Sequence, residues 1–315
     1  MNYGENGTAR AQLEVNGKCR ERQRRLRGDF GQVWNRGKVA AHRESGVGEP
    51  FRRRLRSAIP ATLPGVADEQ PRMYTELADW FHLLTAPEEY AEEAEFYLRT
   101  LSEAVGTPPK TILELGSGGG NNAWHYKHTV QAVTLTDVSA AMLALSQTRN
   151  PECEHIQGDM RTLRLGRLFD AVFVHDAVSY LTTANDLKQA MATAFVHCAP
   201  GGVALFAPDH VRENFRATTE HGGNDGQGRA LRYLEWTWDP DPTDATYVTD
   251  YAYLLREDGQ PTRGAYDRHV CGLFARADWL RLFGEVGFEE ATVLPFEHSE
   301  VPSGTLEVFV AVKAG

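Results

Sequence analysis

Cysteine is scarce in this chain of 315 residues: Cys19, Cys153, Cys198 and Cys271 are far apart, with no C-x-x-C pair. Isolated thiols of this kind build neither a disulfide framework nor a thiolate zinc site, and they fit a reducing, cytoplasmic compartment. No apolar run approaches the ~20 residues that a bilayer-spanning helix needs. The first thirty residues are polar and Arg-rich, without the apolar stretch of a secretory signal, so none is expected. What the chain does have is an ordinary globular make-up, with 42% hydrophobic and 24% charged residues. Its length suits one large domain or two small ones, and 33 Lys+Arg against 43 Asp+Glu leave a formal charge of −10.

That charge is unevenly divided. Residues 1–72 hold 15 Lys+Arg and 8 Asp+Glu, a net of +7, and the remaining 18 and 35 give residues 73–315 a net of −17. The first segment contains the runs RERQRRLR and FRRRLR and no sustained periodicity. Such a composition cannot bury enough apolar surface to offset its ordering entropy, so we expect a disordered basic extension over 1–72. A basic tail suits nucleic acid, a membrane surface or an import receptor, and the alternative is a dispensable extension ahead of Met73.

From Met73 the texture changes. Leu77, Trp80, Phe81 and Leu84, then Tyr90, Ala94, Tyr97 and Leu101, recur at helical spacing, which predicts one or two amphipathic helices before Pro108. Strands are expected at 111–115, 132–137, HIQGD, 169–177 and 201–209, with helices between them; Ser139 stands where a helix cap would. This alternation predicts a doubly wound α/β sheet that binds ligands outside the carboxyl ends of its strands. Residues 231–274 alternate aromatic or β-branched with polar side chains and carry turn clusters, which predicts a three-stranded antiparallel β-meander inserted at about 215–272. A helix over 275–288 and a final strand pair complete the expected domain, 73–315.

The chemistry begins at ILELGSGGG, residues 112–120. Glycines just past a strand let the backbone turn sharply and approach a ligand. A dinucleotide fingerprint would place a third glycine where Asn121 stands. Asp137 ends the second strand, where a carboxylate can take both hydroxyls of a ribose, and Asp159 follows the third. Each has a plainer reading, Asp137 as a helix cap and Asp159 as a turn residue.

These residues carry a resemblance to the class I S-adenosylmethionine-dependent methyltransferases over about residues 73–315, through E-x-G-x-G-x-G, here Glu114-Leu115-Gly116-Ser117-Gly118-Gly119-Gly120. The resemblance implies a Rossmann-like methyltransferase sheet and S-adenosyl-L-methionine as cofactor. It implies that Gly116, Ser117 and Gly118 hold the methionine part, with Glu114 reaching its amino group through water. Asp137 and Val138 would take the ribose, Asp159 and the Met160 backbone the adenine edge, and His175 would line the sulfonium region. The N-terminal aromatic segment with Tyr74 and Trp80, together with the meander, is similar to small-molecule N-methyltransferases acting on glycine or on antibiotic aminosugars. Tyr74 and Trp80 then become cofactor-lid candidates, against their plainer reading as core aromatics.

Methyl transfer is an in-line displacement in which the protein supplies proximity, alignment and a dry site. His175, Asp176, Tyr180, Asp209 and His210 stand at strand ends, and Tyr266 and His269 near the meander's end. His210 is the first candidate for a general base, with His175 and Tyr180 beside it. No metal constellation is expected, because His175–Asp176 and Asp209–His210 are adjacent pairs that point to opposite sides of a strand. The expected enzyme methylates a small-molecule acceptor at N, O or carboxylate, as a possible homodimer joined through the meander, with no membrane and no nucleic acid. The alternatives are an RNA or protein methyltransferase that uses the basic tail, and a non-catalytic cofactor-binding scaffold. The −17 charge of the folded part argues against nucleic acid.

Overall fold

The computed structural model describes residues 70–299, 301 and 303–315. The expected disordered extension falls almost wholly outside these residues.

A seven-stranded sheet has the order β10-β11-β5-β4-β1-β2-β3. Its members are β1 Thr111–Leu115, β2 Ala132–Asp137, β3 Glu154–Gln157, β4 Phe169–Val174, β5 Cys198–Phe206, β10 Glu290–Phe296 and β11 Leu306–Val312. Neighbours from β3 to β5 pair in parallel, whereas β11 runs antiparallel to both β5 and β10. Along β4 the side chains alternate between two cores: Val172 and Val174 pack with Leu187, Met191, Trp279 and Phe283, while Ala171 and Phe173 pack with Tyr97, Leu101 and Tyr126. The first group belongs to the helices Ala184–His197 and Arg276–Val286, the second to Ala91–Val105 and Asn121–Tyr126. A sheet buried on both faces is what near-continuous apolar strands require.

Four further strands, β6 Thr218–Gly222, β7 Arg229–Trp238, β8 Thr246–Glu257 and β9 Arg263–Gly272, form a second, antiparallel sheet between β5 and the Arg276–Val286 helix. Three strands were expected; β6 is the addition, and it carries TTEHG, almost wholly exposed and without alternation. The meander's aromatics divide by register. Tyr233, Tyr251 and Tyr253 face inward with Leu231 and Leu255, onto Met73, Leu77 and Trp80. Trp236 and Leu254 lie on the outer face, more than half exposed.

Two other expectations need adjustment. Residues 72–105 are not one or two helices but short 3-10 turns at Arg72–Tyr74, Ala78–Trp80 and Pro87–Tyr90, a single helical turn Phe81–Leu84, and then the long helix Ala91–Val105. Pro87 opens the third of these turns, a first-turn position that tolerates its missing N–H. The fourth strand stops at Val174, and Asp176–Tyr180 becomes a 3-10 turn that buries Val178 and Ser179. Ser139 does cap the helix Ala140–Arg149, accepting from the Met142 N–H at 3.2 Å.

Candidate active site

The glycine loop leaves β1 at the carboxyl edge of the sheet. Gly116 adopts φ 72°, and a Cβ there would stand 2.3 Å from the Ala177 Cβ and 2.8 Å from the Met160 Cε. Only glycine lets these segments meet. Asp137 closes the loop from β2, with Oδ2 accepting from Gly118 N–H at 2.9 Å and Oδ1 from Ser139 N–H at 2.7 Å. Burial pushes its carboxyl up, and the backbone N–H groups of Ser139, Gly118 and Val138 pull it back. Val138, half exposed, sits beside it with its carbonyl held by Gln157.

Around this loop lie buried polar atoms without partners, Ser117 Oγ and Asn122 Oδ1, beside the Asn121 amide and the His82 imidazole, which face each other. Buried polar groups are ordinarily satisfied, so a cluster of orphans facing a glycine cradle fits a zwitterionic ligand head such as the methionine end of the cofactor. His82 and Phe81 press on Gly119, within 3 Å of where its Cβ would be. His82 and Asn122 were not singled out from sequence, Phe81 entered only in an apolar stripe, and Asn121 only as a missing glycine.

Other expected contacts sit differently. Glu114 is 2% exposed and accepts from the Tyr126 hydroxyl, and burial raises its carboxyl to about 7. Asp159 gives both oxygens to Arg161, with Nε at 3.0 Å from each and Nη2 at 2.6 Å from Oδ2. Trp80 is not placed as a cofactor lid: it is 3% exposed, packed with Leu231 and Tyr253, with the Arg229 guanidinium 3.8 Å above its ring. Its neighbours are the meander's inner face.

His175 does not have the surroundings of a base. Its Nε2 lies 2.9 Å from Asp176 Oδ1 and 3.2 Å from Glu93 Oε2. Burial opposes its charge, but the two carboxylates prevail and hold it well above the usual histidine range, as an imidazolium. His210 is displaced the other way. Burial lowers it to about 4, its Nδ1 has no partner, and its ring meets Phe215 and Tyr247 edge-on. Both expectations of a basic histidine took the unperturbed value, which neither environment keeps. Asp209 is raised well above the carboxylate range by burial and by the facing Asp176 carboxyl, with which it shares a hydrogen bond.

A cavity of about 340 Å³ opens between this edge and the inner face of the meander. Tyr180, Asp209 and His210 line it from the strand ends, and Glu235, Tyr251 and His269 from β7, β8 and β9. Tyr180 Oη bonds both Tyr74 Oη and His269 Nδ1 at 2.8 Å. Tyr266, by contrast, projects outward and is 54% exposed. Among the described residues no group of three or more His, Cys, Asp or Glu is placed to hold a metal, and no helix is long and apolar enough to cross a membrane.

Comparison with known proteins agrees with this geometry. Residues 112–202 match the family described as methyltransferase domain. The chain is 25% identical over 229 residues to the dTDP-3-amino-3,4,6-trideoxy-alpha-D-glucopyranose N,N-dimethyltransferase of Streptomyces venezuelae, covering 68% of this chain and 89% of that protein. The crystal structure of Streptomyces venezuelae DesVI superposes with a TM-score of 0.66 at 25% identity, over 76% of this chain and 98% of that one. The sugar N-methyltransferase KedS8 from Streptoalloteichus shares the fold at 21% identity, with a TM-score of 0.64 over 89% of this chain and 100% of its own. A glycine cradle after β1, a carboxylate at the end of β2, a doubly wound sheet and these relatives lead to one assignment: the chain is an S-adenosylmethionine-dependent methyltransferase, with a methyltransferase domain matched over residues 112–202.

Proposed function

We propose that the protein methylates an amine nitrogen of a small, hydroxylated acceptor of the amino-sugar type, bound in the cavity under the meander. The observation that carries this is the make-up of the wall, acidic and without a cation. Its lining includes the carboxyl groups of Asp209 and Glu235, with Asp176 against Asp209, and no lysine or arginine among the described residues. Such a wall offers carboxyl oxygens as hydrogen-bond acceptors to an amine and no cation to pair with a carboxylate. The names of relatives support an amine, since three of them act on amino sugars carried on dTDP.

S-adenosylmethionine supplies the electrophilic methyl group. We assign its methionine end to the loop Gly116–Gly120 with Asn121 and Asn122, its ribose to Asp137, and its adenine to the slot beside Val138 and Met160. The same wall offers nothing to a diphosphate, so a free or glycosidically linked amino sugar should be preferred over its dTDP ester. Incubation of the full chain with S-adenosylmethionine and a 3-amino-3,6-dideoxyglucoside, with and without dTDP, tests both points by mass spectrometry. Mass gains of 14 and 28 on the nucleotide-free sugar are expected. Methylation of trans-aconitate or another polycarboxylate, with none on amines, would overturn the reading.

A further inference from the structure

An amine reaches neutral solution as an ammonium, and an ammonium has no lone pair with which to attack. The proton must leave before the methyl arrives, and the two histidines at the strand ends do not provide for this: His175 is already charged and His210 is too weakly basic. A third histidine is built into a directed chain of hydrogen bonds. Asp267 and His269 are two apart on β9, so both project from its inner face. His269 Nε2 lies 3.2 Å from Asp267 Oδ2, and His269 Nδ1 lies 2.8 Å from Tyr180 Oη. Asp267 is in turn fixed by two backbone donors, Arg72 N–H to Oδ1 at 3.0 Å and Met73 N–H to Oδ2 at 2.9 Å. The Tyr180 hydroxyl, at the other end, lines the cavity.

We propose that Asp267, His269 and Tyr180 form a proton relay, with Tyr180 the catalytic residue that takes the acceptor's proton and Asp267 a positioning residue that fixes the imidazole. The inference rests on the amine reading above. In the resting state His269 carries its proton on Nε2, donated to Asp267, and Nδ1 accepts from the Tyr180 O–H. The acceptor's N–H bond breaks as its proton moves to Tyr180 Oη, and the Tyr180 proton moves to His269 Nδ1. Tyr180 ends as a neutral phenol, His269 as an imidazolium against Asp267, and the amine with a free electron pair. After methylation the product leaves as an ammonium, and the imidazolium returns its proton through Tyr180 to water in the opened cavity.

The groups around His269 suit this task. Tyr251 of β8 packs 4.8 Å from its ring, Tyr74 packs at 5.6 Å from the N-terminal turn, and Glu235 of β7, Cys271 of β9 and Asp209 after β5 share the cavity. None of these is a cation, so no like charge faces the ring. Burial holds the Tyr180 phenol well above its ordinary range, which suits a group that passes a proton on without resting as phenolate. Asp267 would be raised by burial, but His269 and the two backbone N–H groups hold it below the carboxylate range, so it stays ionised.

Two measurements on the full chain test the relay. With 15N-labelled histidine and saturating S-adenosylhomocysteine, NMR at pH 7.5 should show His269 neutral, protonated on Nε2, with Nδ1 hydrogen-bonded. In Tyr180→Phe the Nδ1 resonance should move to the value of a free lone pair. A doubly protonated His269, or an Nδ1 signal indifferent to Tyr180→Phe, overturns the relay without reference to any acceptor. In turnover of the 3-amino-3,6-dideoxyglucoside, Tyr180→Phe should lose about 10²–10³ in kcat at pH 7 and regain about tenfold per pH unit toward pH 9.5. A Tyr180→Phe profile parallel to that of the parent overturns it equally. Failure of every amine to react would instead strike the amine reading, and the NMR result would still decide the relay.

Discussion

Tyr126 Oη donates its hydrogen bond to the Glu114 carboxyl inside a fully buried wall beneath the glycine loop. Burial raises Glu114 from 4.5 to about 7, so between those values the folded chain keeps a proton that the unfolded chain has released. Stability from this group is complete below about pH 4.5 and is lost as pH rises through about 7. At 1.36 kcal/mol per unit, the loss is about 3 kcal/mol. Urea unfolding at pH 5 and pH 8 should show that decline in the parent and not in Glu114→Gln. Equal declines in both would place the titration elsewhere.

Asp137 joins the glycine loop to the proposed ribose site. Replacement by Ala removes two charge-assisted hydrogen bonds to the ribose, each worth roughly 1.5–3 kcal/mol, and frees the Gly118 N–H. Calorimetry with S-adenosylhomocysteine should show at least a tenfold weaker affinity in Asp137→Ala, and a smaller loss in Asp137→Asn. Full affinity in a folded Asp137→Ala protein would move the ribose away from β2.

His210 offers a contrast to Tyr180. With its imidazole lowered to about 4 by burial, it is neutral throughout the working range. Its ring protons should titrate near pH 4 in an NMR series, and His210→Phe should change kcat on the amino glycoside less than tenfold, with the pH profile retained. A profile that acquires the Tyr180→Phe slope would return the base to His210.

Much of the site was legible because the chemistry lies where a change of periodicity marks a strand end. The glycine loop, Asp137 and the Ser139 cap all follow apolar strands of period two and precede helices of period 3.6. Trp80 was not legible, because a helical stripe says that a side chain is buried and not against what. The first residues of the 3-10 turn Asp176–Tyr180 were hidden at the end of FDAVFVHDA, whose apolar run reads as continuous strand. The Asp267–His269 pair did leave a signal, since i and i+2 on a strand share a face, but the partner Tyr180 lies 89 residues away. The pKa values of His175 and His210 depend on burial and on carboxylates brought together only by folding.

The outer face of the meander carries Leu234, Trp236, Leu254 and Tyr266, each more than half exposed. Across the strands, Leu234 pairs with Ala252 and Ala252 with Tyr266, so these side chains form one patch. Contiguous exposed apolar surface of this kind marks association sites, and we propose that a second copy covers it. Sedimentation should show a dimer for the full chain and a monomer for the Trp236→Glu, Leu254→Glu double variant. A parent chain that is monomeric at micromolar concentration would remove the proposal.

The peptide N–H groups of Arg72 and Met73, at the start of the described residues, are both ligands of Asp267. Any cut made to remove the basic segment therefore edits the far end of the relay. A chain begun at Met73 places an ammonium where Asp267 now meets a neutral amide. That added charge competes with His269 for the carboxylate and loosens the imidazole's orientation. A chain begun at Gln70 leaves the amide in place. The two trimmed proteins would differ by three residues, yet the one begun at Met73 should turn over more slowly. Where the chain is cut would decide how firmly the relay is held.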